Sequence, residues 1–136
     1  MWVYYWLEGR WVEVPGSGLG AIVWREDDKV RGRVIEWSIN DLFKNLEKLI
    51  DVSVGVVASP GAEAIHFILP GGAEAVFRVP KSVVERVIKE IEGMIERGED
   101  VFLIVCRKGF CKLDEKLAEK IERALGQKLL LGEHPY

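Results

Sequence analysis

The residues with most chemical potential in this chain are its tryptophans, Trp2, Trp6, Trp11, Trp24 and Trp37, which all fall in the first 37 positions. Lys29, Arg31 and Arg33 alternate between the last two of them. Alternation with a period of two places side chains on one side of a strand. A two-residue loop at Asp27 and Asp28 pairs Glu26 with Lys29, Trp24 with Arg31 and Ile22 with Arg33. A similar loop at Glu8 and Gly9 pairs Trp6 with Trp11 and Tyr4 with Glu13. In this register one face carries Ala21, Val23, Val30 and Val34, the aliphatic set that a core takes. The other carries Ile22, Trp24, Lys29, Arg31, Arg33 and, further along, Trp37. Trp2, Trp6 and Trp11 fall with the aromatic set, opposite Val3, Tyr5, Leu7, Val12 and Val14.

Indole rings interleaved with guanidinium groups on an open sheet form a platform for unpaired bases. Stacking is worth ~1–3 kcal/mol per base, while the cations hold phosphates. Trp24 lies opposite Arg31 at a spacing suited to a cation–π contact. A duplex offers no ring faces, so the expected partner is single-stranded DNA, or RNA, bound without sequence preference and without a cofactor. Trp6, Trp11, Trp24 and Trp37 are the expected stacking residues, and Lys29, Arg31 and Arg33 the expected phosphate contacts. Two other readings use the same residues. Helices could cover this face and make the tryptophans core, since a slip of one residue would exchange the two faces. Alternatively the patch pairs with another subunit or protein, as Trp, Tyr and Arg are enriched at interfaces.

The remaining reactive side chains form no signature. Cys106 and Cys111 cannot fill a four-ligand zinc site alone, and His66 and His134 lie far from them without ligand spacing, so no metal is expected. A buried Cys106 ending a core strand is the expected role of that residue, with a local disulfide as the alternative. His66 lies mid-strand with no nucleophile placed beside it and is expected to be a satisfied buried or edge histidine. The run Pro15-Gly16-Ser17-Gly18-Leu19-Gly20 lacks the lysine and following helix of a phosphate loop, and reads as a hairpin connection. The order of elements from 39 to 131 is similar to restriction-endonuclease-like nucleases. Their metal site needs an acidic residue followed two places later by lysine, but here Glu63 leads to Ile65 and Glu74 to Val76. No enzymatic activity is expected.

Composition bounds the rest. A chain of 136 residues is the size of one domain, 1–136, able to bury a core of its own. The formal charge, 19 minus 22 or −3, argues against coating duplex DNA by bulk electrostatics. No apolar run approaches the ~20 residues that cross a bilayer and no basic leader precedes a cleavage site, which places the chain in the cytoplasm with no membrane partner. Threonine is absent, Gln127 is the only glutamine, and Asn40 and Asn45 are the only asparagines, a balance that suggests a heat-adapted source.

These residues must be positioned by the elements around them. The first 37 residues read as a four-stranded antiparallel meander. Ser38 and Asp41 form a capping box ahead of a helix over 39–50. Strands follow near 52–58, 63–69 and 73–79, divided by Ser59-Pro60-Gly61 and Pro70-Gly71-Gly72. Ser82 and Glu85 suggest a second capping box for a helix whose stripe, Val83 to Ile95, ends at Gly98. The apolar run Val101 to Cys106 reads as the middle of the sheet. A third helix from near Asp114 to Gly126 and a last strand, Lys128 to Leu131, complete the order ββββ-α-βββ-α-β-α-β, an α+β fold with a mixed sheet and three helices.

An aromatic and basic β-rich segment on a small mixed domain of this composition resembles the ThermoDBP-type single-stranded-DNA-binding proteins of hyperthermophilic archaea. The resemblance rests on Trp24, Arg31, Arg33 and Trp37, and on strands preceding helices. It implies a cleft with apolar walls and basic edges that takes up single strands, and in many members a coiled-coil tail for assembly. No heptad pattern follows Leu131, so a homo-oligomer, though possible, is not expected by that route.

Overall fold

The computed structural model describes residues 2–7, 10–15, 18–27, 29–107 and 115–129, with backbone alone for 2–7, 10–15, 30, 115, 117 and 118. Its elements are β1 (Trp2–Leu7), β2 (Arg10–Pro15), β3 (Gly20–Glu26), β4 (Lys29–Ile35), α1 (Ile39–Lys44), α2 (Leu46–Val52), β5 (Gly55–Ser59), β6 (Ala64–Ile68), β7 (Glu74–Arg78), α3 (Lys81–Glu96), β8 (Leu103–Val105) and α4 (Glu115–Leu125). The α+β class holds.

Both turn-based registers hold residue for residue. β1 pairs with β2 through Trp6↔Trp11 and Tyr4↔Glu13. β3 pairs with β4 through Glu26↔Lys29, Trp24↔Arg31 and Ile22↔Arg33, with Asp27 taking φ 55° at the turn. The four strands nevertheless do not form one sheet. β1 and β2 make a two-stranded sheet of their own, while β3 and β4 flank a six-stranded sheet in the order β4-β3-β7-β6-β5-β8. The break falls at the glycine-rich connection. A Cβ at Gly18 would sit 1.7 Å from the carbonyl oxygen of Ile35, so only glycine lets the chain pass over the end of β4.

Pairing is antiparallel except between β5 and β8. The run Val101 to Cys106, expected in the middle, supplies instead the outer strand β8, which pairs with β5 alone among the described strands. The middle belongs to β7, β6 and β5, where most residues are buried on both faces. Burial on both faces removes the polar alternation, and so any apolar run reads as central.

One face of the sheet packs Val56, Ala58, Ile65, Phe67, Ala75 and Phe77 under Leu42, Leu46 and Ile50 of α1 and α2 and Val84, Val87, Ile88, Ile91 and Met94 of α3. The spacing of the α3 residues is the apolar stripe of an amphipathic helix. On the other face Val57 and Ile68 pack against Ile121 of α4 and Leu129.

Local signals explain the helix ends. Ser38 and Asp41 form the expected capping box, each side chain bonding the other's backbone N–H. The helix they start is interrupted at Asn45, whose side chain donates to the Asp41 carbonyl at 2.8 Å, and resumes as α2. The second expected box does not form: α3 starts at Lys81 with Pro80 as its cap, one residue before Ser82. Gly98 ends that helix region at φ 88°, and Gly126 follows α4 at φ 69°. Lys128 and Leu129 carry no strand, and the rest of the expected last strand lies outside the described residues.

Candidate nucleic-acid interface

Cross-strand partners share a face, so the register fixes what each side of β3 and β4 presents. Ala21 pairs with Val76 and Val23 with Glu74, on the face that also carries His66. Ile22 pairs with Ala75 and Gly20 with Phe77. The aromatic and basic set, Ile22, Trp24, Lys29, Arg31 and Arg33, therefore lies on the face that α1, α2 and α3 cover. This corrects the expectation of a wholly solvent-facing platform. Ala21 and Val23 are fully buried as expected, because the opposite face is a core as well.

What rescues part of the platform is length. Only Gly20 to Val23 of β3 pair with β7; Trp24, Arg25 and Glu26 have β4 as their one described partner. These three residues carry the hairpin about 10 Å past the sheet as a two-stranded ribbon, at ~3.3 Å per residue. Exposure rises accordingly: Ile22 and Trp24 are half-buried, and Lys29, Arg31 and Arg33 are exposed.

The expected cation–π contact between Trp24 and Arg31 is not among the described contacts. Arg31 Nε lies instead 3.8 Å from Glu26 Oε2, with both side chains more than half exposed. An exposed pair of this kind is worth at most about 1 kcal/mol, so a phosphate displaces it at little cost. The ribbon face has three cations, Lys29, Arg31 and Arg33, against the single carboxylate of Glu26.

Trp37 is placed differently. It leaves β4 and stacks on Phe77, ring centroids 5.8 Å apart and planes 21° from parallel, joining the core under the helices. Indole area against an apolar neighbour outweighs exposure to solvent, as in the reading that makes the tryptophans core. Trp6 and Trp11 face one another across β1 and β2, in the separate sheet, and their side chains lie outside the described residues. The seven expected site residues thus divide into Trp24, Lys29 and Arg31 on the ribbon, Arg33 at its base opposite Ile22, Trp37 in the core, and Trp6 and Trp11 on another sheet.

Elsewhere the chemistry is structural. His66 is buried, as expected, with Nδ1 3.4 Å from Oε1 of the fully buried Glu74. The two are diagonal neighbours on β6 and β7, since His66 pairs with Val76 and Ile68 with Glu74. Glu63 takes the left-handed conformation at φ 53°, exposed and at the opposite end of β6 from Glu74, which pairs with Ile68. No group of three or more potential metal ligands occurs among the described residues. Cys106 is buried just past β8 and is disulfide-bonded, which overturns the expectation of a free core thiol; Cys111, the only other cysteine, lies outside the described residues. Arg107 beside it is ion-paired. Its guanidinium donates to both carboxylate oxygens of Glu85 at 2.7 Å, which raises its already high pKa.

Like the Arg107 pair, a second contact was missed by sequence reasoning: the Arg86 guanidinium rests 3.9 Å over the Phe43 ring, where α3 meets α1. Nothing in the sequence joins positions 43 residues apart. No helix of the described residues is long and apolar enough to cross a membrane. Comparison with protein families, with characterised proteins and with solved structures finds no match to this chain, so its reading rests on geometry and chemistry alone.

Proposed function

We propose that the projecting β3–β4 ribbon binds single-stranded nucleic acid without sequence preference, DNA being the first candidate. The observation that carries this reading is the ribbon itself. Past the last β7 pairing, a half-exposed indole, Trp24, is directly across from Arg31, with Lys29 exposed on the same face and Arg33 exposed at the ribbon's base, opposite Ile22. The indole supplies a ring surface for a base and the cations hold the flanking phosphates. Ring faces and phosphates are common to every nucleotide, so the contacts carry no sequence information. A net charge of −3 does not oppose this, because three cations concentrated on one face act locally within a Debye length of about 8 Å.

The test is the anisotropy of a labelled single-stranded oligonucleotide across a salt series, with Arg31→Ala combined with Arg33→Ala. Each phosphate contact on a single strand adds about 0.7 to the slope of log K against log salt, so the double variant should lose about 1.4. The loss should be the same for different base sequences. Binding of unchanged strength and slope in the double variant would remove the ribbon from the interface.

A second reading uses the same strand. β4 has no hydrogen-bonded neighbour beyond β3 among the described strands, an edge to which a strand of another chain could add. Exposed Arg31 and Arg33 oppose pairing of two copies there, since like charges would face each other. The mass of the protein in solution, and its insensitivity to oligonucleotide, would distinguish that case.

A further inference from the structure

The junction of α1 and α2 with α3 contains a groove of about 260 Å³. Its floor is Leu46, Met94 and the half-buried Phe43, and its rim carries Lys44, Arg86 and Arg97 against the carboxylates of Glu47 and Glu90. Arg86 is exposed and Glu90 is one helical turn away at i+4, the spacing of a helical ion pair. Among the described residues the contact Arg86 makes is nevertheless the Phe43 ring, at 3.9 Å. A guanidinium laid flat on a ring keeps its outer plane and its N–H fork available, a geometry suited to stacking a base and to gripping an anion. Among the described residues the ion pair of Arg97 is an exposed contact to Glu99 at 3.5 Å.

The groove lies on the same side of the sheet as the ribbon's Trp24, because α1, α2 and α3 cover that face. The chain also bounds the distance: from Arg31, across from Trp24, to Phe43 there are eight extended steps and four helical ones, at most about 33 Å, which a strand of about twelve nucleotides spans and one of about four does not. We infer that this groove holds one nucleotide of the strand bound by the ribbon, its base on the outer plane of Arg86 and its phosphate between Lys44 and Arg97. Three cations facing two carboxylates complement one phosphate, and Glu47 and Glu90 offer acceptors to the hydroxyl or amino groups of a nucleotide. The inference rests on the proposed function and extends its site from the ribbon into the helical layer.

The experiment compares wild type, Lys44→Gln with Arg86→Gln, and Arg31→Ala with Arg33→Ala. The ligands are single-stranded oligothymidines of about four and about twelve nucleotides, within the range of known site sizes, and free thymidine monophosphate. Both pairs of positions are exposed, and circular dichroism confirms that each variant folds. The Lys44 and Arg86 variant should bind the longer oligomer about tenfold more weakly, with the salt slope reduced by about 0.7 for the one phosphate lost, and the shorter one as wild type does. If it binds both as wild type does, while the ribbon variant loses them, the groove inference falls and the ribbon stands. Wild type that binds neither oligomer overturns both. Binding of the free monophosphate as tight as that of the longer oligomer would make the groove a mononucleotide site and overturn the inference as stated.

Discussion

Replacing Trp37 tests whether the indole that follows β4 belongs to the core. Its ring stacks on Phe77, which is fully buried and meets Phe67 edge-on at 5.6 Å and 88°. Half-burial of an indole against apolar neighbours contributes about 1–2 kcal/mol, so Trp37→Leu should cost that amount. An aromatic pair adds about 0.5–1.5 kcal/mol beyond its area. The double-mutant cycle of Trp37→Leu and Phe77→Leu should therefore show a coupling of about 1 kcal/mol. For a chain of this length that is about 4 °C in melting temperature. Urea denaturation followed by circular dichroism at fixed pH measures all four corners of the cycle. Additivity within about 0.3 kcal/mol would show that the rings do not support each other, and would return Trp37 to the set of exposed stacking residues.

Other consequences follow from the same contacts. His66→Leu removes the imidazole beside the fully buried Glu74 and should cost about 1–3 kcal/mol, whereas His66→Leu with Glu74→Met should recover most of it; equal stability of single and double variants would refute the coupling. Ser38→Ala removes the cap of α1 and should cost about 1 kcal/mol, read by thermal melting. The backbone N–H and hydroxyl of Ser38 hold the Asp41 carboxyl below its ordinary value of 3.8. A depressed carboxyl contributes stability above that value and loses it as pH falls through the native one. Acidification below about pH 4 should therefore destabilise wild type more steeply than Asp41→Asn, and parallel acid limbs would contradict this. Reduction of the disulfide that holds Cys106, closing a loop of six residues if Cys111 is its partner, should lower stability by about 2 kcal/mol. A melting temperature unchanged by reductant would show that the bridge constrains nothing.

The strand registers were legible because they depend on local chemistry. Two acidic residues at a turn and strict alternation set Trp24 opposite Arg31, with no long-range information required. The same is true of the Ser38 cap and of the α3 stripe. Which face the helices would cover was not legible, because Ala21 and Val23 are as apolar as a core face needs and the aromatic face is a core as well over Ile22 and Trp37. Alternation tells the two faces of a strand apart but does not say how many of them are covered. Likewise Val101 to Cys106 has the composition of a central strand, and its place at the edge follows from the parallel pairing with β5, a contact between segments more than 40 residues apart. The partners of Arg86 and Arg107 were illegible for the same reason: each is found on an element brought close only by the finished sheet.

The most direct test of the central claim is the intrinsic tryptophan fluorescence of wild type and Trp24→Phe during titration with single-stranded and then double-stranded oligonucleotide at low and moderate salt. Stacking on the ribbon predicts saturable quenching by the single strand, weakened by salt, and lost for the most part in Trp24→Phe. Duplex should quench little, since its ring faces are covered. Quenching that persists undiminished in Trp24→Phe, or no binding of single strands at low salt, would contradict the claim.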